Sequence, residues 1–393
     1  MKRVTKLALA GSLLAGLTAS GAVQAEPVKI GMITTLSTGA GYLGEDVRDG
    51  FLLAVKEEGG KLGGVEVEIM VEDDGRKPGI GKQLADRFLK QEKAEIITGV
   101  IFSNVSPVVA PLTLKAGAFY ISPNSAPSTF AGAKCHEDYF AVAWQNDSLH
   151  ESAGIYATDL GYKNAYILAP NYQAGKDSLA GFKRYFKGDI AGELYTKLGQ
   201  TDYAAEIAKI RAAKPEMVFH FLPGGMGINF LKQYSQAGLI KEIPLVVSSV
   251  SMDSRILKAV GDIALGVRSS SHWTGDMDNA ANKKFMAGFV ETYGRTPTVF
   301  ASQGYDTAKL IASALKATGG KVLADKDGFR AALKAANFDS VRGEFKFNTN
   351  NHPINQWFGR IVAKGPDGKP MNKTVKMVSN GLADAYASAC PLK

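Results

Sequence analysis

From Glu26 onward the apolar residues fall into two alternating rhythms. Short continuous apolar runs of the kind that fill a buried strand are followed by longer stretches with apolar positions three and four apart, the spacing of a helix with one buried face. "VKIGMIT" reads as a strand, and "EDVRDGFLLAVKEEGG" as a helix that stops at Gly59 and Gly60. Then come "VEVEIMVEDDG" (strand and turn), a helix from Pro78 to Lys90, the strand-like "AEIITGVI", a helix after Ser106, and "GAFYISPNS". "NAYILAP" begins a second such series, which runs through "AGFKRYF", "TDYAAEIAKIRAAKP", "EMVFHFL", "INFLKQYSQAGL" and "IPLVVSS" to "LGVRSSS". From Asn279 the pattern turns helical, before two late strands near "GEFKF" and "WFGRIV". This alternation predicts an α/β fold in which helices cover both faces of doubly wound parallel sheets.

The first 25 residues follow neither rhythm. Lys2, Arg3 and Lys6 precede an apolar run from Leu7, and small residues end in Val23, Gln24 and Ala25, the pattern of a secretory leader cut after Ala25. The run is interrupted by glycines and falls short of the ~20 residues of a membrane-spanning helix. No cysteine stands at the cut to carry a lipid, so the expected product is a soluble exported chain. Loss of the leader takes the formal charge from +8 to +5, too modest and too scattered to argue for a nucleic-acid partner. At 393 residues the chain is long enough for about two domains. Two cysteines remain, Cys135 and Cys390. In an exported protein a lone pair most simply forms one disulfide, tying the tail to the body; two separate thiols are the other reading.

Gly39, Gly41 and Gly44 in "STGAGYLGEDVRDG" match the G-x-G-x-x-G spacing of dinucleotide-binding folds. The context does not: "TTLST" separates them from the strand, and Asp73 and Asp74 lie about 30 residues further on instead of about 20. A flexible loop at the carboxyl end of the first strand is the better account, with Tyr42 and Leu43 walling a cleft, and no cofactor is expected. Enzyme signals are also missing. There is no G-x-S-x-G, and His136, His150, His220, His272 and His352 are scattered without metal-ligand spacing, so no catalytic residue and no metal ligand is assigned.

Four stretches in order, "VKIGMITTLSTGAGYLGEDVRDGFLLAVKEEGG", "GVIFSNVSPVVAPLTLKAGAFYISPNSAPS", "APNYQAGKDSLAGFK" and "FASQGYDTAKLIASAL", make the chain resemble the periplasmic solute-binding proteins of the Leu/Ile/Val-binding type, which serve ATP-driven (ABC) importers. The resemblance implies a type I periplasmic binding fold, with two lobes joined by three crossings and ligand trapped by hinge closure. It places lobe one at 26–143 and 273–347 and lobe two at 145–271 and 349–393. Trp144, Trp273 and Trp357 then sit near the crossings, either packing the hinge or touching ligand.

The same resemblance assigns site residues. Ser103 occupies the position of the serine that binds the ligand carboxylate in amino-acid binders, and it also reads as a cap of the helix that follows. The next contact falls in "ISPNSAPS" at Asn124, Ser125 and Ala126, where the family's second hydroxyl is replaced by Ala126. At about Ser249 the amino-acid binders carry a glutamate for the ligand ammonium; here no acid stands there, and Asp253 reads as a helix N-cap. An unpartnered buried ammonium is costly, so an α-amino acid is disfavoured. Tyr42, Phe102, Tyr172, Phe221, Trp273 and Tyr305 supply aromatic surroundings, and "FLPGGMG" with "APNYQAGKD" resembles the aromatic-acid branch of the family. The expectation is a monomeric, non-catalytic periplasmic receptor for a small aromatic carboxylate such as benzoate, a hydroxybenzoate or a cinnamate-like acid, delivered to importer permease subunits. The alternatives are a branched-chain or other amino-acid receptor and a periplasmic sensor module.

Overall fold

The computed structural model describes residues 26–392. The expected leader therefore lies outside the described residues. The chain begins with β1 (Val28–Thr34), α1 (Gly41–Glu57), β2 (Lys61–Leu62), β3 (Val65–Asp73), α2 (Pro78–Lys90), β4 (Ile96–Thr98), α3 (Ser106–Lys115), β5 (Phe119–Ser122), α4 (Ser128–Ala131) and β6 (Tyr139–Ala141). Their strands form one sheet in the order β2-β3-β1-β4-β5-β6, all parallel except the β2–β3 hairpin. The central strands are almost wholly buried because helices cover both of their faces.

A second set follows: α5 (Asn146–Asp159), β7 (Asn164–Pro170), α6 (Gln173–Tyr185), β8 (Asp189–Thr196), α7 (Ala204–Ala213), β9 (Met217–His220), α8 (Gly225–Gln236), β10 (Val246–Ser248), α9 (Ser254–Val260) and β11 (Arg268–Ser271). Three helices, α10 (Ala280–Tyr293), α11 (Val299–Thr318) and α12 (Lys326–Ala335), then return to the first set before β12 (Asn355–Lys364) and β13 (Pro370–Leu382) complete the second. In this second lobe β8-β7-β9 and β10-β11 are parallel, β12 and β13 are antiparallel additions, and a single parallel bridge from Val218 to Leu245 links the two groups. The lobe is thus a mixed sheet with a parallel core.

Three differences from the sequence expectation have clear causes. "GEFKF" alternates like a strand, but only Gly343 and Phe347 make isolated bridges. Phe345 and Phe347 instead pack against Phe338 and Phe140 as a cover on lobe one. β13 escapes notice because it is an edge strand with mixed, half-exposed side chains. The glycine-rich segment is not a flexible loop either. After a short 3-10 turn at Thr38–Ala40 the chain enters α1, so Gly41 and Gly44 are helical. A Cβ on Gly44 would lie 2.0 Å from the Thr35 carbonyl oxygen, and one on Gly41 2.5 Å from that of Leu36. These glycines seat α1 on the end of β1. Gly50 and Gly304 let α1 and α11 cross with backbones nearly touching, since a Cβ on either would come within 2.0 Å of the other helix's carbonyl.

Cys135 and Cys390 form a disulfide with a Cα separation of 5.7 Å. It fixes the tail beyond β13 to the segment between α4 and β6, where Asn350 also donates to the Ala131 carbonyl and to Asp384. Among the described residues no helix is long and apolar enough to cross a membrane.

Candidate functional site

In each lobe one central strand is flanked by strands that lead away in opposite directions: β1 lies between β3 and β4, and β7 between β8 and β9. The connections at such a switch point diverge and leave a crevice beyond the carboxyl ends of the strands. The two crevices face one another across a narrow cleft. Leu43 follows β1, Ile101, Phe102 and Ser103 follow β4, Tyr172 and Ala174 follow β7, and Phe221 and Pro223 follow β9. Asn124, Trp144, Asn146, Leu149, His150, Val250 and Phe300 close the remaining sides.

Two properties of this lining determine its chemistry. None of these side chains is Asp, Glu, Lys or Arg. In addition, nine of the fifteen sit just before or within the first turns of a helix: Leu43 on α1, Ser103 before α3, Asn146, Leu149 and His150 on α5, Tyr172 and Ala174 at α6, Pro223 before α8, and Phe300 on α11. The positive ends of several helix dipoles therefore converge on an apolar space, which favours an anion without any formal cation in the wall.

Ser103 anchors a buried polar corner. Its Oγ lies 2.8 Å from Ser125 Oγ, which in turn lies 2.8 Å from Ser106 Oγ. Asn146, the first residue of α5, donates from Nδ2 to Ser103 Oγ at 3.1 Å and to Asp177 Oδ2 at 3.0 Å, and its Oδ1 accepts from the Ala126 amide. One carboxylate thus stands a layer behind the corner. It is saturated there: Asp177 also accepts from Ser128 N, Ser128 Oγ and Gln173 Nε2, and burial raises its pKa. Asp253 is likewise occupied. As expected of an N-cap, its Oδ1 accepts from the amides of Arg255 and Ile256, while Oδ2 accepts from Tyr42 Oη at 2.7 Å. Burial, outweighing these bonds, pushes its pKa up to about 6.

The opposite side of the cleft is aromatic. Phe102 and Tyr172 have centroids 6.2 Å apart, Tyr172 and Phe221 stack at 6.3 Å, and His150 meets Phe221 edge-on at 4.8 Å. Burial lowers the His150 pKa to about 3, so the ring is neutral. The guanidinium of Arg76 lies 5.7 Å from the Phe102 centroid and beside Gly199 of the other lobe.

The structure brings Leu43, Phe102, Ser103, Asn124, Tyr172 and Phe221 of the sequence-assigned set onto the cleft wall. Ser125 and Ala126 lie one layer back, bonded to Ser103 and Asn146. Tyr42 flanks the cleft through its bond to Asp253, and Ser249 is buried beside the lining residue Val250. Trp273 and Tyr305 are elsewhere. Trp273 donates to Asn282 and packs edge-on to Phe285, and Tyr305 packs on the same phenylalanine and donates to Glu57. Sequence reasoning missed Asn146 and His150, although their four-residue spacing at the start of α5 puts them on one helix face. It also missed Phe300, five residues before Tyr305 on α11.

Two parallel-sheet lobes closing a charge-free cleft at paired switch points define a two-lobed solute-binding protein. The chain belongs to the periplasmic binding protein family, whose description matches residues 27–366. Leu/Ile/Val-binding protein homolog 6 of Brucella melitensis biotype 1 is 27% identical over 388 residues, 96% of this chain and 97% of that protein. An ABC transporter solute-binding protein from R. palustris, solved in complex with benzoate, is 29% identical with a TM-score of 0.88, covering 93% of this chain and all (100%) of that one. A second R. palustris solute-binding protein, solved with 4-hydroxybenzoate, is 26% identical with a TM-score of 0.83, covering 91% of this chain and 98% of that one.

Proposed function

We propose that this protein is the periplasmic receptor of an ABC importer and captures a small aromatic carboxylate. The observation that carries the reading is the combination of a wall without charged side chains, a serine and asparagine corner, and helix N-termini converging from both lobes. The carboxylate is held by Ser103, whose hydroxyl Asn146 fixes by donating to it, and by nearby amides, and the ring lies among Phe102, Tyr172 and Phe221, where offset and edge contacts stabilise it. An amino-acid ammonium finds no free acid, because Asp177 and Asp253 are committed to other donors. The relatives solved with benzoate and 4-hydroxybenzoate support the same ligand class.

On this reading residues 26–143 with 273–347 and residues 145–271 with 349–393 move as two lobes, and the leader is removed after Ala25. The closed, monomeric protein presents its ligand to the permease chemically unchanged. Calorimetry of the purified mature protein with benzoate, 4-hydroxybenzoate and leucine tests the proposal. Binding of an aromatic acid in preference to leucine, with the acid recovered intact, is the expected result; tighter binding of leucine overturns it.

A further inference from the structure

We propose that His150 reads a hydroxyl group on the ligand's ring, so that the preferred ligand is a ring-hydroxylated benzoate and not benzoate itself. The proposal rests on the aromatic-carboxylate reading above and narrows it. His150 is buried, with only 2% of its surface exposed, and lines the cleft. Its Nδ1 is enclosed without a hydrogen-bond partner. Its ring is fixed between the edges and faces of Phe219 and Phe221, at centroid distances of 5.8 and 4.8 Å. A neutral imidazole has one donor and one acceptor nitrogen, and a buried polar atom with nothing to bond is destabilising. A phenolic hydroxyl both donates and accepts, so it satisfies whichever nitrogen faces it; a ring C–H or a methyl group satisfies neither.

The position of His150 relative to the polar corner fits the size of such a ligand. Asn146, bonded to Ser103, and His150 are four residues apart on α5 and share a face. Four residues advance about 6 Å along a helix. That is the order of the separation between the carboxyl carbon of benzoic acid and a substituent at the opposite ring position. A ligand whose carboxylate meets Ser103, beside Asn146, therefore presents its para substituent to His150.

The test compares dissociation constants of 4-hydroxybenzoate, 4-methylbenzoate and benzoate on the wild-type protein and on His150→Leu. In the wild type, 4-hydroxybenzoate is expected to bind about tenfold more tightly than the nearly isosteric 4-methylbenzoate, the size of one net hydrogen bond. In His150→Leu the two should bind within about twofold of each other, with benzoate little changed. Equal affinities for the hydroxyl and methyl compounds in the wild type overturn the proposal without any variant, and a preference that survives His150→Leu overturns it too. Tight binding of benzoate with no gain from a hydroxyl would sink this proposal and leave the aromatic-acid reading intact, whereas leucine binding in place of all three acids would sink both.

Discussion

Two regions of the molecule bridge its lobes. In the cleft, apolar and aromatic side chains surround a small polar corner, the wall carries no charged side chain, and His150 is held neutral. On the flank, side chains of opposite charge are packed together. Asp46 of α1 is fully buried and accepts from Arg255 Nη2 of α9 at 2.9 Å, Arg295 Nη2 at 2.7 Å and Thr298 Oγ1 at 2.6 Å. Arg295 also reaches Asp49, and Arg255 lies over the Tyr42 ring. Formal charges are satisfied internally on the flank and kept out of the cleft, so a ligand's own charge meets only dipoles and hydrogen-bond donors. The flank's job is then cohesion and registry between lobes, and the cleft's is recognition.

Breaking the flank gives the largest expected effect. Asp46→Ala leaves Arg255 without its buried partner and Arg295 with one carboxylate in place of two, and should lower unfolding stability by about 3 kcal/mol. Urea denaturation measures that loss. Ligand affinity, read by calorimetry well below the melting range, should fall by much less, since Asp46 does not line the cleft. A variant that keeps wild-type stability but loses binding would reverse the roles assigned to the two regions.

The converse substitution belongs to the cleft. Ser103→Ala removes a hydroxyl expected to bond a carboxylate, which weakens binding by roughly 1.5–3 kcal/mol, and it leaves Asn146 Nδ2 and Ser125 Oγ short of a buried partner, which should lower stability by about 1–3 kcal/mol. Calorimetry and a denaturation curve on the same sample separate the two. Unchanged affinity would remove Ser103 from the ligand's contacts.

The two regions were unequally legible in the sequence. Ser103 was assigned through the resemblance to the Leu/Ile/Val-binding type, and Tyr172 and Phe221 as aromatics in motifs that carry that resemblance; all three follow strands and line the cleft. Asp253 was read as an N-cap because the residue type and the following helix are local signals, and its side chain does accept from two amides of that helix. The flank was invisible, since Asp46, Arg255 and Arg295 come from three segments that only the tertiary fold brings together. Trp273 and Tyr305 were misplaced for a related reason. Periodicity says that a residue is buried on a helix or at a crossing, not whether the space in front of it is core or cleft, and Phe285 fills that space for both.

The pH dependence of stability sharpens the contrast further. Burial holds His150 near 3, against 6.5 for a free imidazole. Below pH 6.5 the unfolded chain takes up a proton that the native ring refuses, so the His150 contribution declines as pH falls, by about 2 kcal/mol at pH 5. Asp253 on the flank acts in the opposite sense. With its pKa raised to about 6, the native carboxyl binds a proton before the unfolded one does, and stability from this group increases as pH falls from above 6 toward 3.8. His150→Leu should therefore gain on the wild type by about 2 kcal/mol between pH 7 and pH 5 in paired urea titrations. A stability difference independent of pH would mean that His150 takes up its proton in the native protein as readily as in the unfolded chain, and that the cleft is not charge-free at pH 5.

The smallest effect is expected at the rim, where the two chemistries meet. Arg76 is half-buried, and its guanidinium lies over Phe102 and against Gly199 of the opposite lobe. It sits outside the cleft lining, so its charge acts on an approaching anion over distance more than on a bound one. Arg76→Gln keeps the side chain's length and removes the charge. The association rate for an aromatic acid should fall about threefold in ~0.01 M salt, where the screening length is ~30 Å, and the difference should vanish in ~1 M salt, where it is ~3 Å. Trp144 lines the cleft and provides a fluorescence signal for stopped-flow measurement. A deficit that persists undiminished at high salt would show that Arg76 makes a direct contact with the bound carboxylate, and the division between a charged exterior and an uncharged interior would have to be redrawn at this residue.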